Sequence, residues 1–156
     1  TGRSWLIPRV CADPGETAMT RQVIDTPARI RDGRGMETTN RQLVLDGFRR
    51  FAAGEIEVLR TLLHEDLIEH SPGNPSGRDA FIDYIAHAPV AGARLDLVRV
   101  ISEDDHVVVH YRMTPRGEAN SLAVVDIWRL ADGQIVEHWD VVQPVPDADQ
   151  LPHGMF

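Results

Sequence analysis

The chain has 156 residues and a mass of 17.4 kDa, with 42% hydrophobic and 26% charged residues, which suits one domain with a hydrophobic core. Its formal net charge of −8 argues against nucleic acid, which requires clustered cations, and against an acidic membrane surface. All 16 cationic residues are arginine, and a chain without lysine cannot form the imine of a Schiff-base aldolase.

Residues 1–35 differ in composition from the rest of the chain. They are rich in Gly, Pro and Thr, carry six Arg against four acidic residues and show no sustained periodicity. This composition predicts an N-terminal extension, which is either additional upstream sequence or an arm that packs on a partner subunit. We expect the folded domain to span residues 36–156. With one cysteine, Cys11, and no apolar run long enough for a membrane span or signal peptide, we expect a cytoplasmic protein.

Three helices are predicted in the first half of the domain. Thr39 and Gln42 fit a capping box, and an apolar stripe follows them as far as Gly54. A second, short helix is predicted over residues 56–63. The stretch LIEHSPGNPSG, residues 67–77, predicts an irregular turn. A third helix is expected near residues 78–87, before Pro89.

After Gly92 the hydrophobic period changes to two. Residues 94–102, 106–114, 121–130 and 134–143 are four strand candidates rich in β-branched side chains. The short turns between them predict antiparallel neighbours. Helices followed by such a meander indicate an α+β fold in which the helices cover one face of a strongly bent antiparallel sheet.

The last two strands carry polar residues on a face that should be apolar. If Ala131-Asp132-Gly133 is a three-residue loop, Leu130 pairs with Gln134, and Asp126 then lies opposite His138. Asp140 shares that face because side chains alternate along a strand. A two-residue loop would shift the pairing by one residue and separate these groups onto opposite faces.

A carboxylate beside an imidazole can perform acid/base chemistry. Asp126 would orient His138 as a general base or acid, or would itself take the proton if an apolar cavity raised its pKa. We therefore predict Asp126, His138 and Asp140 as catalytic residues. The predicted substrate-binding residues are His70, His110, Trp128, Phe81 and Tyr111. Glu69 and Glu137 are predicted to be exposed.

The sequence does not indicate a metal or cofactor. His70, His110, Asp126 and His138 could meet in space, but no HxH or HExxH spacing supports a metal site. The chain also has no GxGxxG motif, P-loop or serine elbow. We expect no metal ion and no organic cofactor.

Several stretches resemble the SnoaL-like proteins of the nuclear-transport-factor-2-like superfamily, over about residues 40–156. They are LIEHSPGNPSGRDAF, VRVISEDDHVVVHY, AVVDIWRLADGQIVEHWDVVQPVP and the final GMF. The resemblance implies a cone, or cystatin-like α+β barrel, whose bent sheet and helices enclose one pocket. It also implies cofactor-independent polyketide cyclase or aldol-condensation chemistry with Asp126 or Asp140 as the acid/base, a small hydrophobic ligand and a homodimer.

The fold alone does not select the chemistry, because the superfamily includes isomerases, epoxide hydrolases and non-catalytic binding modules. The leading hypothesis is an enzyme for a hydrophobic carbonyl compound. In it, Asp126 and His138 form the acid/base pair, while Asp140, His110 and His70 position substrate or water. The alternatives are a ligand-binding protein and an epoxide hydrolase with Asp140 activating water. Asp140 resembles the pocket Asp of limonene-epoxide-hydrolase relatives, but the preceding strand has no clear Arg-x-Asp pair to complete their triad.

Overall fold

The computed structural model describes residues 30–31, 37–150 and 152–156. Most of the expected N-terminal extension, residues 1–29 and 32–36, lies outside the described residues, so the domain boundary at residue 36 stays a prediction. A short antiparallel ribbon, β1 (Ile30–Arg31) with β2 (Glu37–Thr38), precedes the first helix.

Three helices lie in the first half of the domain: α1 (Asn40–Ala52), α2 (Val58–Leu62) and α3 (Arg78–Ile85). The predicted capping box is present at α1. The Thr39 hydroxyl accepts a hydrogen bond from the backbone N–H of Gln42 at 3.3 Å, and the Gln42 side chain accepts one from the backbone N–H of Thr39 at 2.9 Å. Such a cap satisfies two N–H groups that the helix cannot pair, and it stabilises the helix by about 1 kcal/mol.

A strand that the sequence did not reveal follows α2. Residues 67–77 were expected to form an irregular turn, but Leu63–Glu69 forms β3, and only the residues after it turn. Leu63 and Leu67 are fully buried in the core. The strand's backbone also pairs in parallel with the edge of the sheet. These tertiary contacts, rather than a local pattern, select the extended conformation.

The four predicted strands of the meander are confirmed as β4 (Arg94–Glu103), β5 (His106–Thr114), β6 (Leu122–Ala131) and β7 (Gln134–Pro144). They pair antiparallel in sequence order. With β3 the sheet has the order β3-β7-β6-β5-β4. The α+β fold is confirmed, but because β3 joins β7 in parallel, the sheet is mixed rather than wholly antiparallel, and it is not closed.

Among the described residues, the helices cover one face of this sheet, here called the inner face, and no helix packs on the other, the outer face. Along β5 the alternation is regular: Val107, Val109, Tyr111 and Met113 are buried on the inner face. They pack in one core with residues of the helices, including Val44 and Phe81. The inner face is therefore where a site enclosed by both layers can form. Within the described part of the chain, no helix is long and apolar enough to cross a membrane.

Candidate active site

The turn between β6 and β7 is one residue shorter than expected. Asp132 and Gly133 have φ values of 47° and 78°, as in a two-residue type I′ turn. Ala131 therefore pairs with Gln134, so the predicted pairing of Leu130 with Gln134 was wrong. Taken alone, this change would have separated the polar groups onto opposite faces.

A β-bulge in β7 restores the orientation of those groups. Leu130 pairs with Ile135, whereas Arg129 pairs with Glu137, so Val136 has no opposite residue. The turn and the bulge together shift the pairing by two residues, which preserves the face of every side chain beyond them.

The two shifts change which residues lie opposite each other. Asp126 lies opposite Asp140, and Trp128 lies opposite His138. The expected pairing of Asp126 with His138 is therefore replaced by a diagonal contact. All four side chains line the same cavity.

This cavity lies between the helices and the inner face and has a volume of about 150 Å³. Its wall is mainly apolar and includes Val44, Phe48, Phe51, Leu59, Phe81 and Ile85. The polar or partly polar side chains that line it are Asn74, Tyr111, Asp126, Trp128, His138 and Asp140. No arginine is among the described residues that line it. An apolar cavity with a few converging polar groups is the usual form of a small-molecule site.

Glu69 fixes the orientation of the His138 ring. Its side chain is completely buried, and its Oε2 lies 2.8 Å from His138 Nδ1. The other carboxylate oxygen accepts a hydrogen bond from the backbone N–H of Ser71 at 2.9 Å. Because a carboxylate accepts, Nδ1 carries a proton, and Nε2 is the ring nitrogen nearest Asp126. The prediction that Glu69 is exposed was wrong, because it assumed a turn where β3 pairs Glu69 with His138.

His138 is held as a cation by its carboxylate neighbours. Its Nε2 lies 3.6 Å from Asp126 Oδ1, which is too long for a hydrogen bond, so this contact is electrostatic. Burial disfavours the charged ring, but Asp126 and Glu69 outweigh that effect and raise the pKa of His138 to about 9. At neutral pH the ring is an imidazolium.

Asp126 is 6% exposed, and for this carboxyl the effect of burial outweighs that of the neighbouring positive charge. Burial raises its pKa, and His138 and the Tyr111 hydroxyl offset this rise only in part, while Asp140 adds to it. Burial and the Asp126 carboxylate also raise the pKa of the Tyr111 hydroxyl well above its ordinary value. Burial would raise the pKa of Glu69, but His138 and Ser71 lower it overall. Glu69 therefore remains ionised, and Asp126 is the carboxylate that is more easily protonated.

The three aromatic residues predicted to bind substrate all line the cavity. The Trp128 ring stacks on His138 with centroids 3.7 Å apart and planes 13° apart. Phe81 meets the same imidazole edge-on at 5.9 Å. Tyr111 is buried beside Asp126. The imidazole is therefore held by an aromatic ring on its face, a second at its edge and a carboxylate at Nδ1.

The structure does not bring His110 or His70 into the cavity. His110 alternates with Tyr111 and therefore lies on the outer face. There its Nδ1 is 2.9 Å from Arg99 Nη1, and its ring stacks on Phe156. His70 follows the inward-pointing Glu69 and points away from it.

On the outer face, the His70 Nε2 is 3.0 Å from Glu137 Oε2, and its ring stacks on Trp139 at 4.4 Å. Neither histidine lines the cavity, so we correct the prediction that His70 and His110 bind substrate there. Among the described residues, no group of three or more His, Cys, Asp or Glu side chains is arranged to hold a metal ion.

Residues 44–138, more than half of the chain, match the SnoaL-like domain family. No curated protein matches the chain. Many solved structures share its fold at low identity, among them three from Burkholderia xenovorans, Kribbella flavida and Jannaschia sp.. An NTF2-like protein of unknown function from Burkholderia xenovorans is 19% identical with a TM-score of 0.63, over 74% of this chain and 94% of that one.

The second, from Kribbella flavida, is provisionally named a ketosteroid isomerase and is 20% identical with a TM-score of 0.60, over 74% and 88% of the two chains. The third, from Jannaschia sp., is provisionally named a SnoaL-like polyketide cyclase. It is 20% identical with a TM-score of 0.54, over 70% and 92%. The family match gives the assignment: this chain belongs to the SnoaL-like family, and it shares the fold of solved NTF2-like proteins.

Proposed function

We propose that the chain is a cofactor-independent acid/base enzyme that moves a proton at the carbon beside a carbonyl group of a small hydrophobic compound. The observation that carries this proposal is the position of Asp126. Its carboxylate is almost fully buried at the wall of an apolar cavity, 3.6 Å from an imidazolium whose other nitrogen is fixed by Glu69.

Asp126 is suited to accept a proton from carbon. Burial raises its pKa and so makes its ionised form a stronger base. The neighbouring His138 charge limits this rise, and the carboxylate is thereby kept available in its ionised form. In the proposed step Asp126 takes the proton from the α carbon, and the electron pair of that C–H bond forms an enolate. Return of the proton to another carbon of the enolate system gives isomerisation. Attack of the enolate carbon on a second carbonyl forms a C–C bond and an alkoxide, which takes the proton back from Asp126 to give the aldol product.

The other polar groups support this step from fixed positions. His138 supplies a positive charge next to Asp126 without leaving its stack with Trp128. Asp140 lies opposite Asp126 across the hairpin and adds negative potential to the cavity. Two carboxylates and no lining arginine among the described residues favour a substrate without its own negative charge. The provisional names of the similar structures, a ketosteroid isomerase and a polyketide cyclase, agree with carbonyl chemistry.

The test is exchange of the α protons of alpha-tetralone for deuterium, followed by NMR in heavy water. We expect the protein to accelerate exchange, and Asp126→Asn to lower the rate by about 100-fold or more, because the amide cannot accept the proton. The control is Glu118→Gln, which removes an exposed carboxylate in the turn between β5 and β6. Unchanged exchange in Asp126→Asn would overturn the proposal. Tight binding of the ketone without any exchange would instead support a non-catalytic binding protein.

Epoxide hydrolysis has less support. The family triad discussed above needs an arginine beside the carboxylates, and the described residues that line this cavity include none. Arg112, the nearest candidate on β5, lies on the outer face, where its guanidinium is 4.4 Å from the centre of the Phe156 ring. We therefore favour proton transfer over attack of water on an epoxide.

A further inference from the structure

Trp128 has a polar group that the enzyme reaction proposed above does not yet use. Its indole lines the cavity on the same strand face as Asp126, and it lies opposite His138. The indole Nε1 is buried and has no hydrogen-bond partner among the described residues. Native proteins rarely leave a buried donor unpaired, because the donor gives up its bond to water on folding.

The packing role of this side chain does not require the donor. Trp128 stacks on His138 through its ring face, with centroids 3.7 Å apart, and a phenylalanine ring could make a similar stack. The stack does, however, fix the plane in which the N–H bond lies. A donor whose ring is held in this way has little orientational freedom to lose when an acceptor binds, which is the property that makes polar groups effective in catalysis.

We propose that the Trp128 indole N–H donates a hydrogen bond to the carbonyl oxygen of the substrate. This inference deepens the proposed function and rests on it for the nature of the substrate. Asp126 and Trp128 are two residues apart on one face of β6, so the base and the donor belong to one rigid element. When Asp126 removes the α proton, negative charge moves to the substrate oxygen, and the hydrogen bond from the indole N–H to that oxygen strengthens as the charge grows.

The proposal makes the site selective for an oxygen acceptor, which can be tested by binding alone. Alpha-tetralone and tetralin share a bicyclic skeleton, but only the ketone carries an oxygen. We expect calorimetry to show that the wild-type protein binds the ketone about tenfold more tightly than the hydrocarbon. Trp128→Phe should abolish this preference while it continues to bind tetralin. Trp139→Phe is the matched control, because it makes the same change on the same hairpin but on the outer face.

The same variants separate this proposal from the proposed reaction. If the protein catalyses exchange, Trp128→Phe should lower kcat by about 100-fold, and Trp139→Phe should leave it unchanged. If exchange is absent in the wild type, the reaction is wrong, but the preference for ketone over hydrocarbon still tests the hydrogen bond. Equal binding of the two ligands by the wild type, or a preference retained in Trp128→Phe, would overturn the role of Trp128.

A spectroscopic measurement covers the case in which Trp128→Phe does not fold. The chain contains three tryptophans, and the spectra of Trp5→Phe and Trp139→Phe identify two of the indole N–H signals, so that the third belongs to Trp128. The Trp128 N–H proton should move downfield when alpha-tetralone is added to the wild-type protein and should move little with tetralin. An indole N–H signal that responds equally to both ligands would contradict the proposal.

Discussion

The Glu69 carboxylate is completely buried and interacts with two donors, the imidazole Nδ1 of His138 and the backbone N–H of Ser71. The imidazole in turn lies between this carboxylate and that of Asp126. Two negative groups therefore share one positive ring in a region with little water. Removing one partner leaves a buried charge that is less well compensated, so Glu69 controls the protonation of His138 as well as its orientation.

Glu69→Gln should lower the pKa of His138 below its value of about 9. The glutamine oxygen can still accept a hydrogen bond from Nδ1, but it carries no charge to favour the imidazolium. An NMR titration of the His138 ring protons measures this pKa directly. Glu137→Gln is the control, because that carboxylate contacts His70 and Arg129 on the outer face. An unchanged His138 titration in Glu69→Gln would show that Asp126 alone holds the ring as a cation.

The same ring makes stability depend on pH in the alkaline range. The pKa of His138 is raised from 6.5 to about 9 in the folded protein, so the folded state holds this proton more tightly than the unfolded state. Its contribution is fully present below pH 6.5 and is lost as the pH rises through 9. The loss should be at most about 3 kcal/mol in the free energy of unfolding. Urea unfolding across this range measures it, and His138→Gln should remove most of the dependence. A stability that rises towards pH 9 would contradict this assignment.

At the scale of the elements, the hairpin of β6 and β7 shows what a sequence pattern can and cannot predict. The alternation of Val124, Asp126 and Trp128 correctly places these residues on one face. Asp132-Gly133 is a favoured pair for a two-residue turn, so the turn was within reach of sequence reasoning. The bulge could not be predicted, because valine, the residue at position 136, is common in regular strands. Glu69 was missed because the pairing of β3 with β7 joins segments far apart in the chain.

Gly133→Ala should destabilise the protein by about 1–2 kcal/mol, because its φ of 78° places a Cβ against the backbone carbonyl. Asp132→Asn is the matched control in the same turn, since asparagine also tolerates positive φ. Thermal unfolding should give a lower midpoint for Gly133→Ala and little change for Asp132→Asn. Equal midpoints for wild type and Gly133→Ala would indicate that the turn can change its conformation without cost.

At the scale of the whole molecule, the outer face of the sheet contrasts with the helix-covered inner face. A row of apolar residues crosses it from β4 to β7 and consists of Ile101, Val108, Ile127 and Trp139. Ile101, at the β4 end of the row, is 61% exposed, and so is Val141, which lies two residues after Trp139 on β7. Val108, Ile127 and Trp139 are only partly exposed, but a row of apolar residues that reaches solvent in this way is typical of a protein–protein contact. The expected homodimer stays a prediction, and this face is where we would place its interface.

Replacement of Ile101 and Val141 by arginine should therefore convert a dimer into a monomer. Two charges buried in a contact of roughly 800 Å² per subunit would be desolvated without partners. Light scattering after size-exclusion chromatography measures the mass. Tyr84→Arg, which changes an exposed apolar residue on α3, is the control. A wild-type mass of about 17 kDa would contradict the homodimer, and a dimer that survives both replacements would place its interface elsewhere.

The two-residue turn and the bulge at Val136 together constrain how the length of this hairpin can change. A loop that gains one residue can keep the same side chains in the cavity only if Val136 is lost at the same time. An insertion or deletion of a single residue between positions 131 and 136 would instead turn His138 and Asp140 towards solvent and bring Trp139 inward. Related chains should thus differ in this hairpin by compensating pairs of length changes, and alignment gaps placed singly there would misalign the residues that line the cavity.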